Sequence, residues 1–204
     1  GQRVTPRDNI KVKGYALRSR PAVENAKVLM YNKPEGEICT MNDPRRRPTV
    51  FRNLPKIRGA RWVTVGRLDI NTSGLLLFTT SGELANKLMH PSPGIDREYR
   101  CRIFGEVNID IVKQLLSGIE IDRHLMKFSK VDVENLNGDT RNKWVHVTLS
   151  EGRNREVRKL WEAVGCQVSR LTRVRYGFLT LPRNLRQGKY RNLTPKEIQR
   201  LLSD

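Results

Sequence analysis

Residues 61–80, RWVTVGRLDINTSGLLLFTT, place two short apolar runs, 62–65 and 75–78, on either side of a polar segment, 66–74, whose sole carboxylate is Asp69. Runs this short, rich in Val, Leu and Phe and bounded by glycines, read as buried strands, with the polar segment as the loop between them. A carboxylate on a loop held by two core strands, with Arg67 before it and the hydroxyls of Thr72 and Ser73 after it, is well placed for chemistry. An Asx-type turn capped by Asp69 is the plainer alternative. Asp69, Asn71, Ser73 and Gly74 also fall on the first, third, fifth and sixth positions of a calcium loop. That pattern needs a glutamate at its twelfth position and helices on both sides, whereas Thr80 stands there and the flanks read as strands.

The 204 residues suffice for one sizeable domain with a true core. With 39 Lys and Arg against 21 Asp and Glu, the formal net charge is +18, which makes a polyanion the first partner to consider and nucleic acid the default. An acidic membrane surface would call for clustered basic residues beside an amphipathic or lipidated segment, and none is evident. No apolar run approaches a membrane span, and no secretory leader pattern opens the sequence. Cys39, Cys101 and Cys166 are scattered and odd in number, as are His90, His124 and His146. This argues against a disulfide framework or a metal centre and for a reducing cytoplasm.

The first twenty residues are basic, poor in large apolar side chains and begin at Gly1, and they are expected to be the tail of a preceding segment. A strand is expected over 27–31, ending in the turn Asn32-Lys33-Pro34-Glu35-Gly36. An Arg- and Pro-rich stretch, 41–58, reads as a solvated loop able to touch phosphate. Ser81 is expected to cap a helix running to Met89 and stopped by Pro91. The segment 97–105 alternates with period two, Tyr99, Cys101 and Ile103 against Glu98, Arg100 and Arg102, and reads as a strand. Asn108 should cap a helix that Gly118 ends. Strands over 127–133 and 144–149 should be joined by a turn at Asn137-Gly138-Asp139. A helix over 155–164 should bury Val157, Leu160, Trp161 and Val164, and a strand should follow over 168–176. Thr194 should cap a last helix with Pro195 at its first position. The expected class is α+β: a mixed, mostly antiparallel central sheet with flanking helices and an active-site cleft.

Three segments stand out together: Gly66-Arg67-Leu68-Asp69 with its continuation, Arg97-Glu98-Tyr99, and 151–159, EGRNREVRK. With the opening NKPEG and the closing RVRYG, they make the chain resemble bacterial ribosomal RNA pseudouridine synthases, the family that includes small-subunit enzyme A together with large-subunit enzyme B. The match runs from about Lys27 to the C-terminus. Arg155-Glu156, where many relatives carry His-Gln, points to the branch of the large-subunit enzyme. The opening RVTPRDNIKVKGY resembles the last strands of an S4-type RNA-binding domain, so residues 1–20 are expected to be the remnant of such a domain and 21–204 the catalytic domain.

The resemblance implies cofactor-free isomerisation of one uridine in large-subunit ribosomal RNA near the peptidyl-transferase centre, by a monomer without membrane attachment. The C1'–N1 glycosidic bond breaks, the base turns and rejoins through C5. Asp69 matches the family's nucleophile, which attacks C1' or assists glycal formation; a carboxylate suits an oxocarbenium-like sugar carbon. Arg158 matches the basic residue that pairs with that aspartate, its plainer alternative being a solvated helix residue paired with Glu162. Tyr99 matches the tyrosine that lies against the target base and is proposed as general base, though a strand tyrosine is ordinarily core. Leu171 matches an apolar pocket residue. Arg67 matches the position that enters the RNA stack once the uridine has left; a loop salt bridge is its alternative. Arg153, Arg155, Lys159, Arg170, Arg173 and Arg175 would contact phosphate. Two rival readings are a sibling enzyme with another RNA target and a non-catalytic RNA-binding module for ribosome assembly.

Overall fold

A computed structural model describes residues 11–12, 15–16, 26–90, 95–136 and 141–203. In chain order its strands are β1 (Lys11–Val12), β2 (Tyr15–Ala16), β3 (Val28–Lys33), β4 (Val63–Val65), β5 (Ser73–Thr79), β6 (Arg97–Phe104), β7 (Ile119–Ile121), β8 (His124–Met126), β9 (Lys130–Val133), β10 (Asn142–Leu149), β11 (Gln167–Tyr176), β12 (Leu179–Thr180) and β13 (Tyr190–Asn192). The helices are α1 (Gly82–Met89), α2 (Ile109–Ser117), α3 (Glu156–Ala163) and α4 (Pro195–Ser203). Pro91 and the turn expected at Asn137-Gly138-Asp139 lie outside the described residues.

The central sheet runs β13-β3-β5-β11-β6-β10-β9, with β4 on β5 and β12 on β11. Its pairs are antiparallel except β5 with β11. The apolar run after Asp69 has no polar face because β5 is covered on both sides: Leu76 and Phe78 join one cluster, Leu75 and Leu77 the other. The first cluster takes Val157, Leu160 and Trp161 of α3 and Leu115 of α2; the second takes Leu84, Ala85 and Leu88 of α1 and Leu201 of α4. Farther along the sheet, β6 keeps the alternation expected of it, with Tyr99, Cys101 and Ile103 inside and Glu98, Arg100 and Arg102 partly exposed.

Ser81 and Asn108 cap α1 and α2 as expected. The helix after residue 155 begins one residue late. Arg155 is its N-cap with φ +53° and no side-chain cap, while Glu156 accepts from the Arg153 N–H (2.9 Å). The sequence did not announce the β7–β8 hairpin, because its turn uses Asp122 and Arg123, both at positive φ, in place of Asn-Gly. Among the described residues no helix is long and apolar enough to cross a membrane.

Candidate active site

The loop of residues 66–72 leaves β4 at Gly66, and its backbone oxygens are engaged one after another. Leu68 is buried in the core, its N–H 3.4 Å and its C=O 3.3 Å from the Cys39 thiol. The Asp69 C=O accepts from the Thr72 N–H (3.1 Å) and from Lys33 Nζ (3.1 Å). The Ile70 C=O accepts from the Gly36 N–H of the NKPEG turn (2.8 Å), and the Asn71 C=O from Arg158 Nη2 (2.9 Å). Lys33 Nζ closes the series on the Thr72 C=O (2.8 Å). Five consecutive carbonyls are thus held from three directions, which fixes the loop's path far better than its exposure would suggest.

Against this fixed backbone the Asp69 carboxylate is half-buried and makes no hydrogen bond or ion pair among the described residues. It does not form the Asx turn, and strands flank the loop, so the calcium geometry is absent too. The expected ion pair with Arg158 also takes a different form. Arg158 is buried; Nη1 donates to the Val168 C=O (2.7 Å) and Nη2 to the loop at Asn71. Burial pushes its guanidinium down, Arg155 adds to this, and Asp69 and Glu35 oppose it. Arg158 therefore holds the loop through the Asn71 carbonyl and does not pair with the carboxylate itself. The alternative pairing with Glu162 belongs instead to Arg155, at 3.8 Å.

Sheet register supplies the neighbourhood. Gly74 of β5 lies opposite Arg173 of β11, which lies opposite Tyr99 of β6, so the end of the Asp69 loop, β11 and Tyr99 share one row. Leu171 lies opposite Cys101 and, with Leu68 and Tyr99, belongs to the α3-side core. The row is possible because Gly74 has no side chain: at φ +102° its Cβ would fall 2.3 Å from the Arg173 carbonyl oxygen. Tyr99 is 9 % exposed, and its hydroxyl has no hydrogen-bond partner among the described residues.

The basic cluster divides. Arg67 is exposed and free of ion pairs among the described residues, which removes the loop salt bridge. Arg153 pairs with Glu151 (2.7 Å) and Lys159 with Asp122 (2.6 Å), both at the surface. Arg175 is held by Glu98 (3.0 Å). Arg173 departs from the phosphate-contact expectation: it is 3 % exposed, its Nε donates to the Leu75 C=O (2.7 Å), and its guanidinium lies 5.2 Å from the Tyr176 ring centroid. It occupies the gap where the two-residue β5–β11 ladder ends, so it supports the site from within. Lys33 and Cys39 were missed as site residues. The usable signal for Lys33 was a lysine closing a strand whose first four residues, Val28 to Tyr31, are apolar on both faces, where only buried acceptors can satisfy it.

A family model described as RNA pseudouridylate synthase matches residues 27–163. The chain belongs to this family. Curated relatives named ribosomal large subunit pseudouridine synthase B are similar to it: 55 % identical in Yersinia pestis over 95 % of this chain, 52 % in Pseudomonas aeruginosa over 97 %, and 53 % in Escherichia coli K12 over 93 %. The chain spans 60 %, 51 % and 65 % of their respective lengths. A solved structure described as a pseudouridylate synthase superposes with TM-score 0.76 at 26 % identity, covering 98 % of this chain and 82 % of that one. A chain of an H/ACA RNP bound to a substrate RNA containing 2'-deoxyuridine reaches TM-score 0.56 at 20 % identity, covering 83 % and 54 %, and shows a shared fold. Within the RNA pseudouridylate synthase family, then, the residues that gather around Asp69 are those of its matched segment together with β11.

Proposed function

We propose that this chain isomerises one uridine of large-subunit ribosomal RNA, near the peptidyl-transferase centre, to pseudouridine, as a cytoplasmic monomer without a cofactor. The observation that carries this reading is the Asp69 carboxylate, left without a partner on a loop whose five carbonyls from Leu68 to Thr72 are all engaged. A carboxylate on a held backbone, with no competing donor among the described residues, suits attack at a sugar carbon that becomes oxocarbenium-like.

In this reading the uridine leaves its helix and Arg67, exposed and unpaired, takes its place in the stack, offsetting part of a flipping cost of a few kcal/mol. An Asp69 oxygen bonds to C1' as the C1'–N1 bond breaks, and the electron pair leaves with the uracil. The base turns against the Tyr99 ring and the apolar wall at Leu171. C5 then bonds to C1' and releases the carboxylate; the C5 proton is lost to a base, for which Tyr99 is the candidate, and N1 gains a proton. Atoms and charge balance with no external reagent. Arg158 and Lys33 hold the loop, and Arg153, Arg155 and Lys159 meet phosphates, each by exchanging an exposed carboxylate partner worth little in water.

The test is to incubate the purified chain with an unmodified large-subunit ribosomal RNA transcript and map pseudouridine along it. One new pseudouridine at a single position is expected; a transcript with none would overturn the reading.

A further inference from the structure

A cavity of about 350 Å³ is lined by Phe178, Leu179 and Thr180 at β12, Arg191 of β13, and Lys196, Glu197 and Arg200 of α4. We propose that it is a second RNA-binding pocket, one that takes a single unpaired nucleotide with its base on Phe178 and its phosphate on Lys196 and Arg200. The proposal rests on the reading that the substrate is RNA.

Charge comes first. Glu197 is fully engaged: it accepts from Arg191 at 2.7 and 3.0 Å and from the Thr194 N–H at 2.8 Å. Arg191 is therefore neutralised within the wall. Lys196 and Arg200, four residues apart on one helix side, are exposed and have no carboxylate partner among the described residues. Two cations without carboxylate partners among the described residues, at one mouth on a chain of net charge +18, suit an anion.

The floor adds specificity. The Arg200 guanidinium lies 4.2 Å from the centroid of the half-buried Phe178 ring. Aromatic faces stack on any nucleobase, and the guanidinium that covers this ring sits on an exposed side chain that can give way to a base and reach its phosphate. The volume sits at the small end of ligand pockets, which admits one nucleotide and excludes a duplex. Leu179 belongs to the α1/α4-side core, whereas Tyr99, Leu171 and Leu68 belong to the α3-side core. The pocket thus lies on the other side of the sheet from the flipped uridine and would hold RNA flanking the target.

The test measures binding of the full chain to a large-subunit ribosomal RNA transcript across a salt series, alongside pseudouridine formation. Lys196→Ala/Arg200→Ala is expected to lower the slope of log K against log salt by about 1.4, and to raise KM with kcat at saturating RNA unchanged. Phe178→Leu keeps apolar volume and loses the ring; it should weaken binding roughly 5- to 100-fold with the slope unchanged. Wild-type affinity and slope in both variants would overturn the pocket and leave it to an acidic protein segment. If the wild-type chain makes no pseudouridine while the double variant still loses slope, the pocket stands and the proposed reaction falls.

Discussion

Gly74 joins the Asp69 loop to the sheet, and at this one position backbone conformation and packing make the same demand. Any Cβ there would meet the Arg173 carbonyl at 2.3 Å and its nitrogen at 2.7 Å while forcing a side chain to φ +102°. Gly74→Ala should therefore destabilise the fold by about 3–5 kcal/mol, read as a fall in the urea midpoint, with activity lost in proportion. Residues also differ in how openly they declare themselves. Asp69 was legible because it is the lone carboxylate in a polar segment between two apolar runs. Arg158 was singled out by the resemblance alone, since helical periodicity places it beside the buried stripe and cannot say that two carbonyls from elsewhere in the chain, Val168 and Asn71, would draw it inside. Arg173 misled for the same reason: strand alternation does not report where a ladder ends and leaves room for a guanidinium.

Among the elements, α4 shows how local chemistry and tertiary contact combine. Thr194 and Glu197 form a reciprocal capping box, the Glu197 N–H donating to Thr194 Oγ1 (3.3 Å) and the Thr194 N–H to Glu197 Oε2 (2.8 Å). Arg191 then holds the Glu197 carboxyl down to about 2, from an ordinary 4.5. A carboxyl whose folded value is depressed stabilises the fold above its unfolded value and loses that contribution as pH falls through the folded one. Glu197→Gln should thus cost about 1 kcal/mol at pH 7, a deficit that is constant above pH 4.5 and closes as pH falls toward 2 in paired thermal melts. Strands β3, β5, β6, β10 and β11 were readable from their apolar runs or alternation. The short β12 and β13 were not, because two or three residues carry no period, and β7–β8 turns on Asp122-Arg123.

At the scale of the whole molecule, a two-sided core under β3, β5 and β11 holds the Asp69 loop, and a net charge of +18 suits a polyanionic partner. Long-range attraction and local chemistry should separate experimentally. Arg67→Ala, removing an exposed and unpaired cation, is expected to lower the salt slope of RNA binding by about 0.7 in filter-binding titrations, with no loss of thermal stability. If a carboxylate without a partner on a held loop does the chemistry, the decisive quantity is the single-turnover rate of pseudouridine formation in Asp69→Asn, with the RNA dissociation constant measured on the same protein. The predicted result is a rate below detection with RNA affinity within about threefold of wild type; isomerisation by Asp69→Asn at anything near the wild-type rate would contradict it.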